Sequence, residues 1–92
     1  MDLLLKDQVA VITGSSQGLG LASARALVAE GCRVCVCARG GEALAAAARD
    51  LAEQAGASDR VLAVQADVAQ ADGARTVIDR VVATFGGLDI LV

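Results

Sequence analysis

Thr13-Gly14-Ser15-Ser16-Gln17-Gly18-Leu19-Gly20 stands between an apolar run at 8–13 and a helix-favouring run at 19–30. Each glycine answers a physical need there. Gly14 lets the backbone turn sharply out of a strand, Gly18 lets a ligand phosphate approach the main chain, and Gly20 lets the helix pack closely on the strand. The first N–H groups of that helix are unpaired and lie at the positive end of its dipole, so a pyrophosphate is stabilised there. Ser15 and Ser16 add hydroxyl donors and are candidate caps. An ordinary strand–helix turn uses glycine in the same way. The decision therefore rests on the surrounding chain.

Outward from the loop, strand and helix patterns alternate. The helix at 19–30 carries Ala22, Ala26 and Leu27 along one side and meets a stop at Gly31. Residues 33–37 form a second apolar run, bounded by Gly40-Gly41. Leu44, Ala47, Ala48, Leu51, Ala52 and Ala55 then recur with the period of an amphipathic helix that ends at Gly56. The run 61–65 reads as a third strand. Ala74, Val77, Ile78, Val81, Val82 and Phe85 repeat the helical spacing up to Gly86-Gly87, and 88–92 opens a fourth strand. Short connections and strands without polar alternation predict a parallel α/β sheet covered on both faces. Right-handed crossovers place the first two helices on one face and the third on the other, with strand order 3-2-1-4. The result is a partial Rossmann-type, doubly wound sheet. Its ligand crevice lies at the carboxyl ends of strands one and four, where the winding reverses. No linker or composition shift divides residues 1–92, which read as a single, incomplete dinucleotide-binding domain.

Composition removes much chemistry. The chain of 92 residues has no His, Tyr, Trp or Pro, and Lys6 is its only lysine. A Ser–His–Asp triad, a Cys–His pair and an imidazole metal site are excluded. A net charge of −3 and one aromatic, Phe85, argue against a nucleic-acid partner. Mean hydropathy is high at +0.58, yet no stretch reaches the roughly 18 uninterrupted apolar residues of a membrane span. The apolar run after Met1-Asp2 is too short for a signal peptide. Three cysteines give no disulfide framework, and a cytoplasmic location is expected. Cys32, Cys35 and Cys37 contain a C-x-x-C, but without a second pair or a His no zinc site closes. Cys35 and Cys37 share one face of a strand and are expected to act as small apolar residues.

The loop reads G-x-x-x-G-x-G, which departs from the general G-x-G-x-x-G fingerprint. In its Thr-Gly-x-x-x-Gly-x-Gly form it resembles the short-chain dehydrogenase/reductase family. Ala66-Asp67-Val68 after the third strand and Gly87-Leu88-Asp89-Ile90-Leu91-Val92 at the end resemble the same family in the same order. The resemblance implies that Gly14, Ser15, Ser16, Gln17, Gly18, Leu19 and Gly20 hold a nicotinamide dinucleotide, and that Asp67 and Val68 contact its adenine. Asp67 equally suits a carboxylate supporting the turn before the third helix, and the two roles are compatible. The implied reaction passes hydride between the nicotinamide and a small ketone or alcohol, in a complete enzyme that is a homo-oligomer. Its proton relay uses a Ser, a Tyr and a Lys, none of which can be matched here. No catalytic residue and no metal ligand is assigned, and the 92 residues alone are expected to be inactive. An NADP-dependent oxidoreductase of the 3-oxoacyl-reductase kind, represented by its N-terminal part, is one expectation. A non-catalytic nucleotide-binding module or truncated pseudoenzyme is another, and an interaction fragment is a third.

Cofactor choice turns on the end of the second strand. A carboxylate about 20 residues past the loop would bind the adenine ribose hydroxyls of NAD. Ala38 stands there instead, followed by Arg39. In the family this pair tends to go with NADP, the guanidinium meeting the 2′-phosphate, and NAD is the alternative. Arg39 is otherwise a solvated charge at a strand end, and Gln17 stands where NADP-type members often carry a basic residue.

Overall fold

The computed structural model describes residues 5–14 and 18–92. Four parallel strands form one sheet in the order β3-β2-β1-β4. They are β1 (Val9–Thr13), β2 (Arg33–Ala38), β3 (Val61–Gln65) and β4 (Ile90–Leu91), joined through helices α1 (Gly18–Ala29), α2 (Gly41–Ala55) and α3 (Ala71–Phe85). A 3-10 turn, Ser58–Arg60, precedes β3. The expected strand order and doubly wound architecture are present.

The central strands are apolar because both of their faces are covered. Ala10, Ile12, Val34 and Val36 pack with Ala24 and Val28 of α1 and Leu44 and Leu51 of α2. The alternate residues Val9, Val11, Cys35 and Cys37 pack with Val77, Val81 and Phe85 of α3. Successive side chains of a strand point to opposite faces, so each run supplies both cores without a polar position. Val34, Val36, Ile12 and Leu51 are fully buried.

Three details depart from the sequence reading. The side of α1 that packs on the sheet is Leu21, Ala24, Leu27 and Val28, whereas Ala22 and Ala26 are exposed. Alanine at 22, 24 and 26 offers equal hydrophobicity on every side, so composition does not distinguish the faces. Helix α3 starts at Ala71, three residues before its apolar period begins at Ala74. Finally, β4 spans only Ile90–Leu91. Its main-chain bonding still reaches from Asp89, which donates to the Val9 carbonyl (2.9 Å), to Val92, which donates to that of Val11 (2.8 Å) and accepts from the Thr13 N–H (3.1 Å).

The amino ends of the strands are tied by polar groups. The Arg33 guanidinium donates to the Asp7 carbonyl (2.8 Å) and to the Phe85 carbonyl at the end of α3 (3.4 Å), and lies 5.5 Å from the Phe85 ring centroid. Arg60 donates to Asp7 Oδ1 (2.9 Å) and to the Gly31 carbonyl (2.6 Å). The Arg60 guanidinium, bonded to the Asp7 carboxylate, holds the latter below its usual pKa. Asp89 accepts from the Val9 N–H (2.9 Å). Lys6 sits at this same end, against Gly31. These contacts secure one end of the sheet and leave the carboxyl end open.

Candidate functional site at the carboxyl end of the sheet

At the opposite end a crevice of about 370 Å³ opens where β1, β2 and β3 stop, whereas the expected position is at the ends of strands one and four. Gly14, Cys37, Ala38, Arg39, Asp67 and Val68 line it. Five of the residues singled out from sequence (Gly14, Ala38, Arg39, Asp67 and Val68) thus meet in one place, from three separate connections. Thr13 pairs with Cys37, and Ala38 with Gln65, so the three chain exits are side by side.

Gly14 and Gly18 flank the exit of β1 with φ of +60° and +65°. Both lie in the left-handed region that side chains disfavour. Among the described residues, a Cβ at either position would meet no atom within 4 Å beyond its own chain neighbours. The main chain therefore borders open space at both ends of the glycine loop, as close approach of a phosphate requires. Leu19 is 88% exposed in the first turn of α1, and Gly20 beside it is half-buried. Gly18, Leu19 and Gly20 are not among the crevice's lining residues. Ser15, Ser16 and Gln17 lie outside the described residues.

On the far wall, Asp67 shapes the turn into α3. Its Oδ1 accepts the Ala69 N–H (3.0 Å) and its carbonyl accepts the Gln70 N–H (3.1 Å). This is an Asx-type turn in which the side chain takes over a backbone acceptor role. The turn-supporting role is thus observed. Arg39 is exposed and forms no ion pair among the described residues. No carboxylate stands at position 38 to meet ribose hydroxyls.

Cys37 forms part of the floor, its thiol donating to the Ile12 carbonyl (3.5 Å). Burial pushes its thiol pKa up, and that of Cys35 reaches about 12 through burial and the neighbouring Cys37. All three cysteines are buried. Thiols held protonated in this way are poor nucleophiles, in keeping with their apolar reading. No group of metal-ligating side chains occurs among the described residues.

Two residues that the sequence reading passed over belong to this end of the sheet. A Cβ on Gly73, in the first turn of α3, would collide with the Asp67 carbonyl. Gly73 thus lets the helix start directly against the turn that lines the crevice. Gln65, the last residue of β3, donates from Nε2 to the Arg39 carbonyl (2.9 Å). A glycine inside an amphipathic helix was the available signal for the first. The second had none, since a strand-end Gln has many uses.

Residues 8–92 match the family model described as short chain dehydrogenase. An uncharacterized oxidoreductase of Mycobacterium bovis is 45% identical over 92 residues, which are 100% of this chain and 36% of that protein. The cis-4-hydroxycyclohexanecarboxylate dehydrogenase of Sinomonas cyclohexanicum is 40% identical over 88 residues, 94% of this chain and 33% of its own length. The crystal structure of L-sorbose reductase from Gluconobacter frateurii, complexed with NADPH and L-sorbose, superposes with a TM-score of 0.92 at 46% identity. The match covers 99% of this chain and 34% of that one. The chain therefore spans about a third of the length of the relatives it matches.

Proposed function

The chain belongs to the short chain dehydrogenase family, and from that premise we propose that it forms the cofactor-holding part of an NADP(H)-dependent oxidoreductase. The observation that carries this reading is the crevice itself. Backbone open to a phosphate at Gly14, the Arg39 guanidinium, without an ion pair among the described residues, and the Asp67-Val68 turn all line one space, with no carboxylate at Ala38. In this reading the N–H groups at the start of α1 and the glycine loop, with Ser15, Ser16 and Gln17, bind the pyrophosphate. Arg39 meets the 2′-phosphate, and Asp67 and Val68 hold the adenine. When bound, the nicotinamide supplies hydride to a ketone, or accepts it from an alcohol. The similarity to a reductase crystallised with NADPH supports the NADP(H) choice.

The general acid for that reaction is not among these residues. They include no Tyr and no His, and Lys6 lies at the amino end of the sheet. We therefore assign them binding and orientation, and no proton transfer. Three buried thiols suit a reducing compartment, which favours the cytoplasm.

Cofactor choice is tested by fluorescence titration with NADPH and NADH. A charge-assisted bond from Arg39 to the 2′-phosphate favours NADPH by about 10- to 100-fold. Replacing Ala38→Asp together with Arg39→Ser should reverse that order. Preference of the unaltered protein for NADH would overturn the reading.

A further inference from the structure

The residue that holds Arg39 in place is a candidate determinant of cofactor selectivity in its own right. Strand β2 ends at Ala38, so Arg39 is the first residue beyond the sheet's regular pairing. The last main-chain bond between the two strands runs from the Ala66 N–H to the Ala38 carbonyl (3.0 Å). The next carbonyl along, that of Arg39, lies beyond the strand pairing. Gln65 supplies a partner: its side-chain Nε2 donates to that carbonyl at 2.9 Å. The amide thereby ties the end of β3 to the main chain just past β2, with a side-chain donor in place of a backbone N–H.

The same side chain touches the following turn. A Cβ on Gly41 would stand 3.0 Å from Gln65 Oε1, so the amide lies directly against the first residue of α2. Gln65 therefore braces the Arg39-Gly40-Gly41 segment from both ends. That segment contains two glycines, whose backbone freedom is otherwise large. A long side chain launched from a loose backbone loses more entropy on meeting its ligand than one launched from a fixed backbone.

We propose that Gln65 is a positioning residue for the 2′-phosphate, acting through the main chain of Arg39 without touching the ligand. The inference rests on the NADP(H) reading above. It predicts a selective defect: loss of the Gln65 donor weakens binding of ligands that carry a 2′-phosphate and spares those that lack it.

The test compares 2′,5′-ADP with 5′-AMP by titration calorimetry, in the unaltered protein, Arg39→Ser and Gln65→Met. Methionine keeps the length of the side chain and removes the donor. Gln65 is exposed, so the fold is expected to survive, and retained 5′-AMP affinity serves as the check. The expected result for Gln65→Met is a loss of about three- to tenfold in 2′,5′-ADP affinity, the range of one modest hydrogen bond, with 5′-AMP unchanged. Equal weakening of both ligands would mean a general structural role and would overturn the inference. So would full retention of the preference in Gln65→Met while Arg39→Ser loses it, a result that leaves the NADP(H) reading standing. Absence of any 2′,5′-ADP preference in the unaltered protein would remove both.

Discussion

Cys35 has no measurable exposure, and burial together with the adjacent Cys37 drives its pKa to about 12. In the unfolded chain a thiol titrates near its ordinary value of 9.0. Above that pH the unfolded state releases a proton that the folded state keeps, so stability falls as pH rises. It is fully present below about pH 9 and is lost progressively toward pH 12, at up to about 1.4 kcal/mol per pH unit for each such thiol. Denaturant midpoints measured between pH 8 and 10.5 should therefore fall steeply, and Cys35→Ala should flatten that slope while lowering the midpoint at pH 8 through the cavity it leaves. An unchanged slope in the variant would show that Cys35 is not the source. That these thiols are buried was legible from their spacing on a strand. Their place against α3, with Cys37 also flooring the crevice, follows from which face α3 covers. Arg39 was equally legible as a charge at a strand end. The amide that braces it was not, because a contact across 26 positions has no local signature.

Among the elements, α3 shows how packing overrides the local reading. Its apolar period starts at Ala74, yet the helix extends back to Ala71 because Gly73 allows its first turn to sit on the Asp67 carbonyl. Alanine at 73 would favour the helix by about 1 kcal/mol. Its methyl group would also strike main-chain atoms, which move less readily than a side-chain tip. Overpacking of this kind costs about 1–3 kcal/mol, so the collision should win. Gly73→Ala is expected to lower the thermal midpoint and to weaken ligands at the adenine end by displacing the Asp67–Ala69 turn. A stabilised Gly73→Ala protein with unchanged 5′-AMP affinity would show that the turn yields at no cost. Helix α1 teaches the complementary lesson. A stretch rich in Ala and Leu is easily read as a helix, but its orientation is set by which residues fit the sheet, and Ala22 carries the same side chain as Ala24.

At the scale of the molecule, both faces of the sheet's centre are covered, but the margin toward β4 is less so. Helices α1 and α2 seal the face of Ala10 and Ile12, whereas α3 alone serves the opposite face. Beside α3 an apolar hollow of about 280 Å³ opens between Val77, Ile78 and Leu91. Val82 is 47% exposed, Leu91 67% and Val92 51%, so helix and edge strand both present apolar side chains to solvent. Strand β4 also offers main-chain groups along an edge with no strand among the described residues. Exposed apolar edges pair with other chains unless charge or a covering element prevents it. A net charge of −3 gives little electrostatic repulsion against that. On their own, these 92 residues should therefore self-associate as concentration rises, with weak cooperativity in denaturation. Burying one such side chain is worth about 1.5–3 kcal/mol, so removing two from the margin should have a visible effect. Val82→Glu with Leu91→Glu is expected to shift the light-scattering mass toward the monomer, leaving the crevice intact because neither residue lines it. A cooperative, monomeric unaltered chain at high concentration would refute the idea. Association that persists undiminished in the double variant would place the contact on another surface.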